Sequence, residues 1–221
     1  MNDGILAMIV QWTLLVCIWM GSFDRQLNRL GLARASALAV LTVVLVCSYA
    51  SWQLYFLPVY VNVSGGILPF LLSGWIWMKL PAKGKEYTLA SSVLLACVIL
   101  FIRKLIFWDP VLLILDEELL IPIACLFLVF LLSRRLEQQW FLLIVSVPLA
   151  DVFYVFSNLQ ALSRYSQAVI GSPEAQDRLW ISISLWIITM ITLAFFNRFA
   201  AFSRKSLQVL FKWKSKTEPN R

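Results

Sequence analysis

The residues of this chain that could do chemistry are few, and most of them fall in one stretch, Ile102 to Pro122, IRKLIFWDPVLLILDEELLIP. Asp109 followed by Pro110 has the form of a helix cap and a first-turn proline, so a tight turn near Trp108 to Pro110 would join two antiparallel helices. Counted from that turn, Arg103 and Lys104 on one arm lie about as deep as Asp116, Glu117 and Glu118 on the other, roughly 10 Å in at the rise of an α-helix. Opposite charges at equal depth on neighbouring helices can pair, which is how ionisable groups are tolerated in a membrane. The stretch therefore reads in three ways: a solvated interfacial loop, a structural ion-pair cluster that pins the hairpin, or a site for a cation, a proton or a polar ligand.

A second candidate is Asp151, a carboxylate inside an apolar run and three residues after Pro148. A helical proline frees a backbone carbonyl and can kink the helix, and kinks beside an acid recur at transport and proton-relay sites. The plainer reading is a bond from Asp151 to a neighbouring helix. Its depth matches that of the hairpin charges.

Other chemistries are excluded by what is missing. There is no histidine, which removes Ser–His and Cys–His nucleophile pairs and HExxH metal sites. Cys17, Cys47, Cys97 and Cys125 each sit in an apolar run without metal-ligand spacing, and read as small core residues. An acid-pair protease would need two facing aspartates at membrane depth, and Asp151 with Asp116 or Asp109 has no motif around it. No catalytic residue, cofactor or metal is assigned, and the chain reads as non-enzymatic.

The elements that must position these charges follow from composition. Of 221 residues, 61% are hydrophobic and 14% charged, against roughly 45 to 50% and about 25% in soluble domains. The excess has to face lipid. Trp52, Tyr55, Trp75, Trp77, Trp108, Trp140 and Trp180 fall near the ends of apolar runs, where amphipathic rings sit in a bilayer. About 20 apolar residues cross a hydrocarbon core of roughly 30 Å. The pattern predicts an all-α polytopic transmembrane bundle of about seven helices, at Ile5 to Phe23, Ala35 to Phe56, Ile67 to Leu80, Tyr87 to Phe107, Pro110 to Leu132, Trp140 to Phe156 and Pro173 to Phe196. The third could begin as early as Val59. These form one domain, residues 1–196, followed by a tail, 197–221.

Orientation follows from the basic residues. With the N-terminus outside and the C-terminus cytoplasmic, the inner segments hold Arg25, Arg29, Arg34, Lys79, Lys83, Lys85, Arg134, Arg135 and the tail's seven, and the outer side holds Arg103, Lys104, Arg164 and Arg178. The bias holds in every loop, as the positive-inside rule requires. Between Ser157 and Asp177, Leu159, Leu162 and Val169 keep helical spacing, which predicts a short surface helix before Gly171; Ser172, Pro173 and Glu174 then launch the last helix. Ala35 with Ala39, Cys47 with Ser51 and Ser92 with Ala96 are small residues four apart that would let helices approach closely. Asn62-Val63-Ser64 matches a glycosylation acceptor, a pattern common by chance.

In the tail, Arg204, Lys205, Lys212, Lys214 and Lys216 alternate with Phe199, Phe202, Leu207, Leu210, Phe211 and Trp213. Such a segment is drawn to anionic lipid by about 1 kcal/mol per basic residue near the surface. Lipid, not nucleic acid, is the expected partner.

Three segments, SGGILP at Ser64 to Pro69, FWDPVLLILDEE at Phe107 to Glu118 and VPLADVFY at Val147 to Tyr154, resemble the YphA-type family of small multi-pass membrane proteins of spore-forming bacilli. The resemblance implies a protein of the bacterial cell membrane or spore membrane. Two functions are consistent with these features: a non-enzymatic membrane protein that acts through association with a membrane protein partner, or a small-solute carrier or substrate-binding subunit of a transporter, with Asp151 and the hairpin charges lining its site.

Overall fold

The computed structural model describes residues 3–29, 31–54, 59–82, 84–108, 116–159 and 168–217. They form α1 (Ile5–Trp19), α2 (Asp24–Arg29), α3 (Arg34–Cys47), β1 (Ser51–Leu54), β2 (Val59–Asn62), a π-helical turn (Val63–Ile67), α4 (Leu68–Lys79), α5 (Lys85–Trp108), α6 (Glu117–Leu132), α7 (Leu136–Ser157), β3 (Ala168–Ile170) and α8 (Pro173–Thr217). Each of the seven predicted segments holds a helix, and the chain is a helical membrane protein. Three helical stretches, Lys85–Trp108, Leu136–Ser157 and Pro173–Phe196, are long and apolar enough to cross a bilayer by themselves. The chain divides into two compact units, Met1–Ile183 and Ser184–Arg221.

Within the first unit, α5 and α4 pack along α7, and α6 packs against α5 and α7. The inward face of α5 carries Ser92, Ala96, Ile99, Arg103 and Ile106, a three-four spacing that keeps one stripe of a helix turned the same way. Ser92 and Ala96 are fully buried, as expected of small residues at a close helix contact. The first turns of α8 are buried all round from Ala175 to Ile183.

The sequence did not predict a sheet, yet β1, β2 and β3 form one. β1 runs antiparallel to β2, with Ser51 opposite Asn62 and Leu54 opposite Val59. β2 runs parallel to β3, with Val59 opposite Ala168 and Val61 opposite Ile170. The second predicted helix thus stops at Cys47 instead of Phe56, and the third cannot reach back to Val59. Val169 lies in a strand instead of a surface helix. Short apolar runs do not by themselves distinguish strand from helix; here the decision comes from packing. Val59, Val155, Ala168 and Ile170 close one hydrophobic cluster, joining the strands to the end of α7.

Asn62 ends β2 and starts the π-helical turn. Its side-chain oxygen accepts the N–H groups of Ser64 and Gly65 at 2.9 and 3.1 Å, and its amide nitrogen donates to the Ser48 carbonyl at 2.9 Å. The side chain is buried, so the apparent glycosylation acceptor is a structural cap. The turn brings Gly65 and Gly66 against Gly171, which has a φ of +72°. A Cβ on Gly171 would run into the Gly66 nitrogen, and one on Gly65 would stand 2.6 Å from the Gly171 carbonyl oxygen. Only backbone fits there.

At the opposite end of the bundle the lysines lie on aromatic faces, Lys79 3.8 Å above the Trp75 ring and Lys85 5.5 Å from that of Trp77. Trp52 and Trp108 are exposed, as bilayer-interface rings should be, but Trp180 is buried in the first turns of α8.

Gly171→Ala is expected to lower the stability of the purified protein by at least the roughly 1–3 kcal/mol that a left-handed non-glycine residue costs, with the contact to Gly66 adding to it. Gly74 lies within α4, and a methyl group added there would meet nothing within 4 Å, so Gly74→Ala should stabilise by roughly 0.5–1 kcal/mol. Thermal unfolding in detergent checks both; equal losses for the two variants would contradict the glycine contact.

Candidate functional site

The ends of α5 and α7 and the starts of α1, α6 and α8 meet at the sheet end of the bundle, and the ionisable residues gather between them. Arg103 comes inward because it continues the buried stripe of α5. Asp151 does the same on α7, in register with buried Ile144, Val147 and Val155. Glu117 is the first residue of α6, and Glu174 and Arg178 lie one turn apart at the start of α8.

Arg103 Nε donates to Glu117 Oε1 at 3.2 Å and its Nη1 donates to Asp151 Oδ1 at 3.3 Å. The guanidinium also lies 3.7 Å from the centroid of the Tyr154 ring. Arg178 completes the group, with Nη1 3.5 Å from Glu117 Oε1 and 4.0 Å from Glu174 Oε2, and Nη2 3.7 Å from Asp151 Oδ1. The other oxygen of Asp151, Oδ2, accepts the Gly171 N–H at 2.8 Å. Two guanidinium groups that would repel each other are thus bridged by two shared carboxylates.

Not all contacts weigh equally. The Arg103 and Asp151 side chains are 8% and 6% exposed, whereas Glu117 is 35% and Glu174 52% exposed. Solvent screens the outer pairs, and exposed pairs contribute little. The buried Arg103–Asp151 pair is the one whose breaking leaves a charge stranded in a low-dielectric interior. Arg178 Nη2 makes no hydrogen bond, so its hold on Asp151 is the longer electrostatic one.

A second buried acid works nearby. Asp177 accepts the N–H groups of Gly4 at 2.7 Å and Ala7 at 2.6 Å. It therefore caps α1 from a position 170 residues away, supplying acceptors to otherwise unsatisfied amides at the positive end of the helix.

Of the residues singled out from sequence, Arg103, Glu117 and Asp151 come together. Lys104, Asp116 and Glu118 form no ion pair with the described residues, and Asp109 lies outside them, as does the turn it was expected to cap. The partner of Arg103 on α6 is Glu117, one residue on from exposed Asp116. Depth could be counted along the chain, but one residue turns a helical side chain by about 100°, and the phase of α6 is set by packing. Sequence reasoning missed Arg178, Glu174, Tyr154, Gly171 and Asp177 as members. The available signal was that Arg178, like Arg103, breaks the positive-inside pattern.

The backbone of α8 is helical through Thr217; the side chains of Arg204, Lys205, Lys212, Lys214 and Lys216 lie outside the described residues. Among the described residues no three His, Cys, Asp or Glu side chains are placed to hold a metal ion. Chemically, the cluster does what a clamp does: it ties α5, α6, α7 and α8 together, and through Gly171 it ties them to the sheet.

Arg103→Ala should destabilise by about 3–5 kcal/mol, the usual cost of stranding one partner of a buried pair. Asp116→Ala should stay within about 0.5 kcal/mol, as exposed substitutions do. The reversal Arg103→Glu should be partly rescued by Glu117→Arg and not by Asp116→Arg. Melting temperatures from size-exclusion chromatography read all of these, and rescue by Asp116→Arg would refute the assigned pairing.

No similarity was found to a curated protein or to a solved structure. The family model described as "YphA-like integral membrane protein" matches residues 3–213. That match covers nearly the whole chain, including the helices and the charge cluster, and the chain belongs to the YphA-like integral membrane protein family.

Proposed function

We propose that this chain is a non-enzymatic multi-pass protein of the cell membrane that acts by associating with another membrane protein. The observation that carries this reading is the engagement of Asp151. Both of its oxygens are taken, one by Arg103 and Arg178 and the other by the Gly171 amide. A carrier that used Asp151 for a proton or a solute would need that carboxylate open to a polar cavity. An acid so enclosed holds helices together instead, and leaves recognition to the outer surface of the bundle.

In the same reading all seven helices cross, the N-terminus is outside and the tail is cytoplasmic. The distribution of Lys and Arg supports this, and Lys79 and Lys85 both sit at the end opposite the charge cluster. Arg204, Lys205, Lys212, Lys214 and Lys216 then lie beside anionic lipid of the inner leaflet.

Two measurements test the proposal. Crosslinking in intact cells, followed by affinity purification in mild detergent, should recover one membrane protein in stoichiometric amount. Recovery of an ATPase module in its place would make the chain a transporter subunit, and recovery of nothing would overturn the association reading. In a cysteine-free background, an impermeant maleimide should label Asn2→Cys in whole cells but Lys216→Cys only after lysis; the reverse pattern would invert the topology.

A further inference from the structure

Within the charge cluster, the closest contacts of Glu117 with both guanidinium groups fall on one oxygen. Its Oε1 accepts from Arg103 Nε at 3.2 Å and lies 3.5 Å from Arg178 Nη1. Arg103 has further partners in Asp151 and the Tyr154 ring. Arg178 is served less well: its ion pairs are 3.5 to 4.0 Å long, and its buried Nη2 makes no hydrogen bond although the side chain is only 6% exposed. Buried donors are nearly always satisfied, so an exception needs a reason, strain or a missing partner among them. We propose that Glu117 is a displaceable ligand supplied by the chain itself, and that the Arg103–Arg178 pair takes in its place a carboxylate of the membrane protein partner. The inference rests on the association reading above.

The backbone of α6 permits the displacement. Pro122 lies inside the helix and is fully buried. Having no N–H, it leaves the Glu118 carbonyl without a helical bond, and its ring crowds that carbonyl. Before it, the first turn has no side-chain cap and Leu119 is exposed; from Ile121 onward Ile121, Pro122, Cys125 and Val129 are buried. Among the described residues the ion pairs of α6 are those of Glu117 alone. The first turn can therefore swing at Pro122 while the rest of the helix stays packed.

Charge defines what replaces Glu117. The swing carries Asp116 and Glu118 away with it, so an incoming anion does not meet them. Arg103 and Arg178 then share Asp151, with Glu174 still 4.0 Å from Arg178. One negative charge restores the balance that Glu117 provided, whereas a doubly charged phosphate would exceed it. A carboxylate can also use both oxygens toward guanidinium groups, which gives the orphan Nη2 an acceptor. Glu117 competes from a high effective concentration because it is tethered. A partner held by other contacts has the same advantage, and a free small carboxylate does not.

Melting temperatures of the purified intact protein in detergent test the site without a partner. Glu117→Ala should melt several degrees higher in sodium acetate than in sodium chloride of equal ionic strength. Wild type, whose site is filled, should show no difference, and adding Arg178→Gln to Glu117→Ala should abolish the response. Glu117→Ser repeats the measurement should the alanine variant fail to fold. No preference for acetate would overturn the site. Crosslinking in intact cells tests the source of the carboxylate: per amount of folded protein, Glu117→Gln should raise partner recovery several-fold and Arg178→Gln should reduce it to background. An acetate response with recovery unchanged by both substitutions would make the ligand a free small carboxylate and overturn the partner's part. No recovery from wild-type or Glu117→Gln cells would overturn the association reading, while the acetate response still decides the site.

Discussion

The structure depends on one buried ion pair. Arg103 and Asp151 lie on neighbouring helices of the bundle, both more than nine-tenths buried, in a protein whose surroundings cannot solvate a lone charge. Removing either one strands a buried charge on weaker or longer contacts. Everything else in the cluster adjusts around that pair: Glu117 extends it to the start of α6, Arg178 to α8, and the second oxygen of Asp151 to the backbone of the turn after β3. Association of membrane helices gains little from the hydrophobic effect, because lipid is as apolar as leucine. Polar contacts and close backbone approach must take its place, and this unit uses both.

The close approach is supplied by glycine. The three-residue contact of Gly65, Gly66 and Gly171 lets the π-helical turn touch the turn after β3, and the amide of that same Gly171 reaches Asp151. Sheet and charge cluster are therefore one mechanical object. Asp177 adds α1 to it by capping the amides of Gly4 and Ala7. Segments distant in sequence are joined at one end of the bundle by charge and backbone contacts, while at the opposite end Leu80, Phe141 and Val145 pack together and the Trp77 and Phe141 rings lie 5.3 Å apart.

The helices were legible because each needs only a local property, a long enough run of apolar residues. The pairing of Arg103 with an acid of the Asp116 to Glu118 group was legible because a hairpin places both at one depth. Which acid it would be was not, since the rotation of α6 depends on its packing against α5 and α7. The strands were hidden for a related reason. Ser51–Leu54, Val59–Asn62 and Ala168–Ile170 are each too short to declare a period, and β3 pairs with β2 from a distant part of the chain. Arg178 stood out in sequence only as a basic residue on the unexpected side, with no neighbour in the chain to explain it.

By itself the sequence determined the medium and the class: hydrocarbon-length apolar runs can be stable only as helices in a bilayer, and that follows from residue types alone. It also determined that the few internal charges would have to find partners. The tertiary structure decided who those partners are, where helix gives way to strand, and that Asp151 is closed off and not open. Those outcomes turn on side-chain direction and on contacts between distant segments, which exist only once the helices have packed.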